Sequence, residues 1–361
     1  MAYVSQLGGR NVVSPFSISS LPAGELHIRF SDAARDALGE ALGDQVFFER
    51  DEVAVAARAS ARVGEVLGSF GVETLMRIGA GELGEGLTVF DNLPFEQVEW
   101  SPFPGMPARS AKRTCLSEML LIGMGPHMGE LYGVASEGRR LVNDLIPSMT
   151  DLDRHTGNGS RKLLGLHYEN AAPRYLSAGR DFSPKALMLT GVSEQTVGGP
   201  ATPVAIAARA VARLSDADRT VLRNACAILK APQRWRDHAE IQDIGPVPVI
   251  LGPAGREQVV AAFYGDLTRP AFEAAAGPLE RLEAELNAVA IPLQIVPGRM
   301  VHLANGRVLH GRTDFEAEFD AEGRARRWIQ RVFLGGRVEQ FRADGDLHER
   351  VYALNPAAMA F

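Results

Sequence analysis

The chain has 361 residues, of which 46% are hydrophobic and 23% are charged, so it can bury a substantial core. A formal net charge of −6 argues against a nucleic-acid partner, and the longest apolar runs are too short to cross a membrane. The N-terminus lacks a basic segment followed by an apolar stretch, and Cys115 and Cys226 lack CxxC spacing, so we predict a cytoplasmic protein with two buried thiols.

The first part of the chain is predicted to be helical. Residues 31–42 open with a Ser-Asp cap, and residues 51–68 end at a glycine, which are usual helix boundaries. A loop rich in Pro and Gly at 100–110 precedes a third amphipathic helix around 115–125. We therefore predict an N-terminal helical region over residues 1–110.

From about residue 130, short apolar runs alternate with turn signals, which is typical of antiparallel strands in a barrel or sandwich. Six runs carry this pattern: 139–147, 161–169, 185–192, 247–252, 294–312 and 326–336. Helical stretches at 203–214 and 277–289 interrupt them. Because no clear linker divides the chain, we predict one domain over 1–361, mainly β with flanking helices, whose core spans 111–340.

A His-x-Glu pair is the most informative motif. His167 and Glu169 lie in LLGLHYENAAP, and His310 follows 143 residues later in NGRVLHGRTDF. Residues two apart on a strand project to the same face. Two imidazoles and one carboxylate leave open coordination positions on a non-haem Fe(II), which suits O2 and a second substrate. The same set matches poorly with a closed structural zinc site, which prefers four protein ligands.

The other histidines of the chain are weaker candidates for a metal site. A lone buried histidine is more often a satisfied core residue, but the apolar run before His167 makes burial of two ionisable groups costly unless they are paired or bind a metal. His238 and Glu240 form a second His-x-Glu pair in a polar stretch that favours the surface. His302 precedes His310 by eight residues around an Asn-Gly turn, so the two are expected on different strands, and His302 is given no role.

Three segments of the chain together resemble a known family. HYE, PGRMVHLANGRVLHGRTDF and RRWIQR resemble the clavaminate synthase and asparagine oxygenase branch of the Fe(II)/2-oxoglutarate-dependent dioxygenases, within the wider taurine dioxygenase-like group. The resemblance runs from about Pro102 to Phe333 and includes EGRRLVNDLIP. It implies a double-stranded β-helix (jelly-roll) core in which His167, Glu169 and His310 bind Fe(II).

The resemblance also implies a co-substrate pocket. 2-Oxoglutarate needs a buried cation for its far carboxylate, and the planar fork of arginine suits that role. Arg327 matches the family arginine that binds this carboxylate, and Arg331 matches a second arginine near the co-substrate or the substrate carboxylate. The turn before them is longer than in relatives, which leaves Arg324 as a substitute. The family threonine that assists falls on Thr202, although Ala-Thr-Pro is also a good helix start, and Thr196 is the fallback.

The implied activity is oxidation of an unactivated C–H bond with Fe(II), 2-oxoglutarate and O2, by hydroxylation, desaturation or ring closure. The substrate would be an amino acid, a cyclic dipeptide or a carrier-bound aminoacyl group, in specialised metabolism. Glu169 would face the substrate amine. Ala274–Gly277 stands where relatives that hydroxylate basic amino acids carry acidic residues, which favours a neutral substrate unless Glu137 or Glu273 reaches the pocket.

Two other classes of protein stay open at this stage. One is a zinc or manganese hydrolase or isomerase on the same barrel, which would not need Arg327. The other is a catalytically silent protein that binds a small molecule, which would not need all three metal ligands. Succinate formation that depends on Fe(II) separates the three classes.

Overall fold

The computed structural model describes residues 14–44, 51–103, 106–150, 162–175, 181–231, 236, 243–343 and 345–354. The strands in these ranges are β1 (Phe16–Ser20), β2 (Leu26–Phe30), β3 (Leu87–Asp91), β4 (Glu130–Val134), β5 (Val142–Leu145), β6 (Leu164–His167), β7 (Ala186–Ser193), β8 (Thr202–Ile206), β9 (Ala227–Leu229), β10 (Ile244–Val247), β11 (Ile250–Leu251), β12 (Gln258–Val259), β13 (Thr268–Pro270), β14 (Ile291–Leu293), β15 (Met300–Ala304), β16 (Val308–Arg312), β17 (Trp328–Gly335), β18 (Gly345–His348) and β19 (Val351–Leu354). The α-helices are α1 (Asp32–Gly43), α2 (Glu52–Gly79), α3 (Leu116–Met124), α4 (Ala207–Val211), α5 (Asp216–Leu222) and α6 (Ala276–Val289).

The main sheet has the strand order β1-β2-β3-β15-β7-β17-β4-β19-β18, and β5 also pairs with β17. Its pairings are antiparallel except β2 with β3 and β4 with β19. The central strands β7 and β17 are buried along their whole length and pair through seven residue pairs. The protein is therefore mainly β at its centre, with helices on the outside.

A second sheet of four strands has the order β14-β8-β16-β6 and is antiparallel throughout. One hydrophobic cluster joins the two sheets: Val89, Leu187, Val301 and Phe333 come from the main sheet, and Val204, Ile206 and Val308 from the second. The two sheets thus pack face to face over a shared core.

Helices cover the outer face of each sheet. Leu38, Val63 and Leu120 from α1–α3 pack with Met188 and Met300 of the main sheet. On the far side, α4–α6 pack against the second sheet through a separate cluster. None of the helices in the described ranges combines the length and apolar character that a membrane span requires.

The N-terminal segment differs in part from the sequence prediction. Ser31 caps α1 as expected, since its hydroxyl accepts the Ala34 N–H at 3.1 Å. Helix α2, expected to end at Gly68, instead continues to Gly79 through a kink at which Gly68 has a φ of 64°. Three strands of the main sheet, β1–β3, also come from the region expected to be helical.

Residues 203–214 were expected to be helical, and half of that prediction is wrong. Thr202–Ile206 is a strand that pairs with β14 and β16, and the helix begins at Ala207. The helix start expected at Thr202 is therefore not observed. Pairing on both sides overrides the helical propensity of this Ala-rich stretch.

His302 lies on β15 and is 2% exposed, on the face of the main sheet that α2 covers. Burial, with a smaller effect from Arg307, lowers the pKa of its imidazole from 6.5 to about 4. The unfolded chain therefore binds this proton at a higher pH than the folded one.

We expect the free energy of unfolding of the metal-free protein to fall as the pH drops from about 6.5 to about 4, because the folded pKa is depressed. The shift from 6.5 to about 4 corresponds to roughly 3 kcal/mol for His302. Urea unfolding of wild type and His302→Leu at pH 7 and pH 5 measures this. An equal loss of stability in both proteins would contradict it.

Candidate metal and co-substrate site

His167 and His310 lie directly opposite each other on the paired strands β6 and β16. Their ring centroids are 4.3 Å apart. The Nδ1–H of His167 donates to the Gly165 carbonyl at 2.9 Å, which leaves Nε2 directed at the shared site. Both histidines are buried.

Glu169 lies two residues beyond His167, in a turn rather than on the strand, yet its carboxylate reaches both imidazoles. Its Oε2 is 3.8 Å from His167 Nε2 and 3.6 Å from His310 Nε2. Ligand atoms of the three residues lie within 4.8 Å of one another. We expected His167 and Glu169 to share one face of a strand. In the structure His167 ends strand β6 and Glu169 lies in the following turn, and both side chains still point to the same site.

The backbone of Glu169 is held by a side chain far away in sequence. Asn305 Oδ1 accepts the Glu169 N–H at 2.9 Å, and Asn305 Nδ2 donates to the Glu169 carbonyl at 3.0 Å. The same amide also donates to the Pro184 carbonyl at 2.8 Å. Asn305 was expected to serve as a turn residue, and its amide also holds the backbone of Glu169.

The protonation state of the site favours metal binding. Burial and the neighbouring His167 lower the pKa of His310 to about 4, although Glu169 acts in the opposite direction. A neutral imidazole is the form that ligates a metal. A divalent cation would also offset the buried charge of Glu169, so the donor set fits a metal with two imidazoles and one carboxylate.

A cavity of about 60 Å³ opens beside these three residues. Its lining comprises Leu145, Leu164, His167, Glu169, Leu189, Thr202, Tyr264, His310, Gly311, Arg312, Arg327, Ile329 and Arg331. Arg327, Ile329 and Arg331 face it together, as the expected period-2 alternation requires. The ring of Tyr264 packs edge-on against His167 at 5.2 Å between centroids.

Arg327 is 9% exposed, and its guanidinium has no ion pair or hydrogen bond to any residue in the described ranges. It stacks over the ring of Phe315, 5.4 Å from the centroid. Burial, with a smaller effect from Arg312, lowers its pKa from 12.5 to about 9. A buried cation without a carboxylate partner is destabilising by itself, so this arrangement favours binding of an anionic ligand.

Arg312 also lines the cavity, and no role for it was expected from the sequence. Its guanidinium donates to the Lys162 carbonyl at 2.9 Å and stacks over Phe315 at 5.7 Å. Two arginines thus share one aromatic ring and one cavity. The sequence signal for Arg312 was its place in His310-Gly311-Arg312, because residues two apart on a strand share a face.

The fallback residues lie elsewhere. Arg324 forms an ion pair with Asp320 at 2.6 Å in the turn before β17 and is not among the residues that line the cavity. The Thr196 N–H donates to the Glu318 carboxylate at the surface, and Thr196 does not line the cavity. Thr202, in contrast, is buried and lines the cavity.

Arg331 connects the metal site to a second carboxylate. Its guanidinium contacts Glu169 Oε2 at 3.2 Å and donates to Glu137 Oε2 at 2.6 Å, and Asn170 donates to the other Glu137 oxygen at 2.9 Å. Glu137 is buried. From the sequence, Glu137 was only an alternative partner for a basic substrate. Its contact with Arg331 spans 194 positions, so neighbouring residues do not reveal it.

A further cavity of about 310 Å³ begins at Glu137. Asn143, the cross-strand partner of Arg331, also lines it, and its buried Nδ2 has no hydrogen-bond partner among the residues described. Asp144 contributes to the lining but accepts hydrogen bonds from Trp328 and Gln330, and burial raises its pKa. A polar ligand beside Arg331 would satisfy the Asn143 amide.

The stretch Ala274–Gly277 does not form a pocket loop. Glu273–Ala275 is a 3-10 helix that leads into α6, and Ala275 is buried in the core beside the second sheet. None of these residues lines either cavity. The sequence argument for a neutral substrate was thus based on residues outside the site. His238 and Glu240 lie outside the described residues.

Comparison of sequences finds relatives among amino-acid oxidising enzymes. The chain is 26% identical over 256 residues to L-asparagine oxygenase of Streptomyces coelicolor, covering 69% of this chain and 71% of that protein. It is 24% identical over 269 residues to L-lysine 3-hydroxylase of Catenulispora acidiphila, covering 73% and 71%. No family model matches the chain.

The comparison of folds also finds an asparagine oxygenase, as the comparison of sequences does. Asparagine oxygenase in complex with Fe(II), (2S,3S)-3-hydroxyasparagine and succinate has a TM-score of 0.76 and 21% identity, covering 91% of this chain and 98% of that one. The non-haem iron oxygenase OrfP, in complex with Fe, succinate and (3S)-hydroxy-L-Arg, has a TM-score of 0.73 and 19% identity, covering 91% and 99%. OrfP has also been solved with Fe and α-ketoglutaric acid.

Proposed function

We propose that this protein, which is asparagine oxygenase-like in sequence and fold, is an Fe(II)- and 2-oxoglutarate-dependent oxygenase that oxidises an amino acid or a small amino-acid derivative. The observation that carries the proposal is one cavity that combines a buried His-Glu-His set with the unpaired cation of Arg327. A hydrolase or isomerase would not need that cation, and a silent binding protein would not need all three metal ligands. We also propose that the two facing sheets form a double-stranded β-helix within one domain, and that the protein acts in the cytoplasm.

His167, Glu169 and His310 would hold the iron. Three protein donors leave the remaining positions for 2-oxoglutarate and O2. Bound Fe(II) with these two supplies the chemistry, in which 2-oxoglutarate is converted to succinate and CO2 while one oxygen atom enters the substrate C–H bond or two hydrogens are removed. The Gly165 carbonyl and the Asn305 amide keep the ligands in place.

Arg327 would bind the far carboxylate of 2-oxoglutarate, and the Thr202 hydroxyl would assist it from the edge of β8. The support is electrostatic. Arg327 and Arg312 are two buried cations over Phe315, and a dianion placed between them and the metal would offset the cost of their burial. Burial of the three ligand residues would also limit the access of water to the reacting atoms.

Arg331, Glu137 and Asn143 would orient the substrate. A free amino acid presents a carboxylate and an ammonium close together, which match a guanidinium and a carboxylate that already lie within contact of each other. Arg331 also contacts the metal ligand Glu169 at 3.2 Å, so a substrate bound to it lies beside the iron position. The cavity of about 310 Å³ beyond Glu137 would receive the side chain.

The test is an assay of the whole protein with Fe(II), 2-oxoglutarate and a panel of amino acids, cyclic dipeptides and aminoacyl thioesters. We expect at least one compound to stimulate succinate release and to gain one oxygen or lose two hydrogens by mass spectrometry. The same assay with Zn(II) or Mn(II) is the control. Substrate conversion under Zn(II) without consumption of 2-oxoglutarate would instead indicate a hydrolase or isomerase.

Within that panel, we expect neutral substrates to be oxidised and free arginine and lysine not to be. A guanidinium or ammonium side chain in the cavity of about 310 Å³ would meet Glu137, which is paired with Arg331 and assigned to the α-ammonium group, and Asp144, which is bonded to Trp328 and Gln330. Burial of that cation without a carboxylate would be strongly disfavoured. Efficient hydroxylation of arginine would contradict this prediction and show that Glu137 turns toward the side chain.

A further inference from the structure

A larger cavity, of about 950 Å³, lies between the C-terminal end of α2, the helix-facing side of the main sheet and the turn at 252–256. Its volume is within the range of small-molecule sites, about 300–1,000 Å³. It is separate from the cavity that contains the three metal ligands, none of which line it. Asn305 and Tyr168 line it from the side of the metal site.

The charge of this cavity is positive. Four cationic residues and two carboxylates line it, an excess of two positive charges: Arg174, Lys185, Arg256 and Arg307 against Glu130 and Asp181. Arg174 and Asp181 pair with each other. Glu130 accepts the Val338 N–H at 2.8 Å.

Two of these cations converge. Arg256 donates to the Gly81 carbonyl at 2.7 Å, and Arg307 donates to the same carbonyl at 3.4 Å. Neither guanidinium lies within ion-pair distance of a carboxylate in the described part of the chain. Glu85 is the carboxylate whose charge acts on Arg307, but it is hydrogen-bonded to Arg209 at 2.7 and 2.9 Å. Burial and the neighbouring Arg256 lower the pKa of Arg307. Two converging arginines without a counter-charge are mutually repulsive until an anion binds.

His302 provides an independent observation. It lines the cavity at 2% exposure, and neither ring nitrogen has a hydrogen-bond partner among the residues that the structure describes. Buried polar atoms are normally satisfied, so an orphaned imidazole in a cavity wall points to a ligand that is absent here. A ligand oxygen can accept from its N–H.

The cavity is connected to the metal site through the turn between β15 and β16, two strands that belong to different sheets. His302, Asn305 and Arg307 lie on the β15–β16 segment that continues to His310. The Asn305 N–H donates to the Lys185 carbonyl, and the Asn305 amide holds both backbone groups of Glu169. An anion bound to Arg307 and His302 would restrain the turn that positions two of the three metal ligands.

We propose that this cavity binds a small multivalent oxyanion of the phosphate class, and that binding stabilises the β15–β16 turn behind the metal site. The guanidinium fork of arginine can bind two phosphate oxygens at once. Lys185 and Arg256 line the cavity and are exposed, so an anion can reach them from solvent. The ligand is distinct from 2-oxoglutarate, whose proposed cation Arg327 lines the separate cavity between the two sheets.

The probe is inorganic phosphate, titrated calorimetrically into the whole protein at low ionic strength with 2-oxoglutarate present at saturation. We expect Arg307→Gln and Arg256→Gln each to weaken phosphate binding about tenfold or more, because each removes a charged hydrogen-bond donor. Arg342→Gln, which removes a surface arginine paired with Glu339, is the matched control and should bind as wild type. Succinate in a parallel titration should bind more weakly than phosphate.

His302→Leu keeps the packing volume and is expected to weaken phosphate binding while circular dichroism stays unchanged. Amide hydrogen exchange at Asn305 and Glu169 should slow when phosphate is added to wild type. Three outcomes would overturn the proposal: no phosphate binding, equal binding in Arg307→Gln and wild type, or displacement of phosphate by 2-oxoglutarate. Because none of these readouts needs turnover, a failure here is distinguishable from a failure of the proposed oxygenase function.

Discussion

Replacement of His310 with alanine is expected to abolish succinate formation and to lower the iron content of the purified protein, while the fold survives. The change removes one of three donors that lie within 4.8 Å of one another and leaves a carboxylate and one imidazole, which bind Fe(II) weakly. Strand β16 keeps its backbone pairing with β6 and β8, and the core between the sheets contains no metal ligand. The same outcome is expected for His167→Ala and Glu169→Ala.

Three readouts test this prediction: succinate by mass spectrometry, bound iron by atomic absorption, and the urea unfolding midpoint. His127→Ala is the matched control, because His127 is hydrogen-bonded to Ser60 of α2 and lines neither cavity of the proposed active site. Wild-type iron content and turnover in His310→Ala would show that the metal assignment is wrong.

Arg327→Ala is expected to raise the concentration of 2-oxoglutarate needed for half-maximal turnover by about a hundredfold or more. Loss of one partner from a desolvated charge pair costs on the order of 3–5 kcal/mol. Since Arg327 has no carboxylate partner in the described ranges, the substitution should leave the protein without 2-oxoglutarate as stable as wild type or more so. Arg331→Ala should instead raise the requirement for the amino-acid substrate.

The control is Arg324→Ala, three positions earlier, where the arginine pairs with Asp320 in the turn. Initial rates over a series of 2-oxoglutarate concentrations, at fixed substrate, separate the variants. A larger 2-oxoglutarate defect in Arg324→Ala than in Arg327→Ala would mean that the co-substrate cation has been misassigned.

Local patterns predicted the elements that carry the site. Apolar runs bounded by turn residues gave β5, β6, β7, β15, β16 and β17, and the resemblance to asparagine oxygenase-like proteins is confirmed by relatives of both sequence and fold. The His-x-Glu spacing and the Arg-x-x-x-Arg spacing reflect constraints within one strand or one turn. Such constraints can be read from neighbouring residues alone.

Contacts between distant residues were not predictable in the same way. Asn305 reads as a turn residue in an Asn-Gly pair, and nothing near it indicates that its amide holds Glu169, 136 positions away. Glu137 lies between β4 and β5, and it meets Arg331 because both of these strands pair with β17. Thr202–Ile206 leads into an Ala-rich stretch, and its two sheet partners decide between helix and strand. In each case tertiary pairing determines the role.

The opposition of His167 and His310 across two strands has a consequence for how such an enzyme can diversify. Strand pairing, and not chain length, sets their separation, so the 142 residues between them can gain or lose loops without altering the distance between the imidazoles. A slip of β6 by one residue, by contrast, would turn its imidazole to the other face of the sheet. New specificity is therefore accessible by insertion within this stretch, whereas the metal chemistry tolerates almost no change of register.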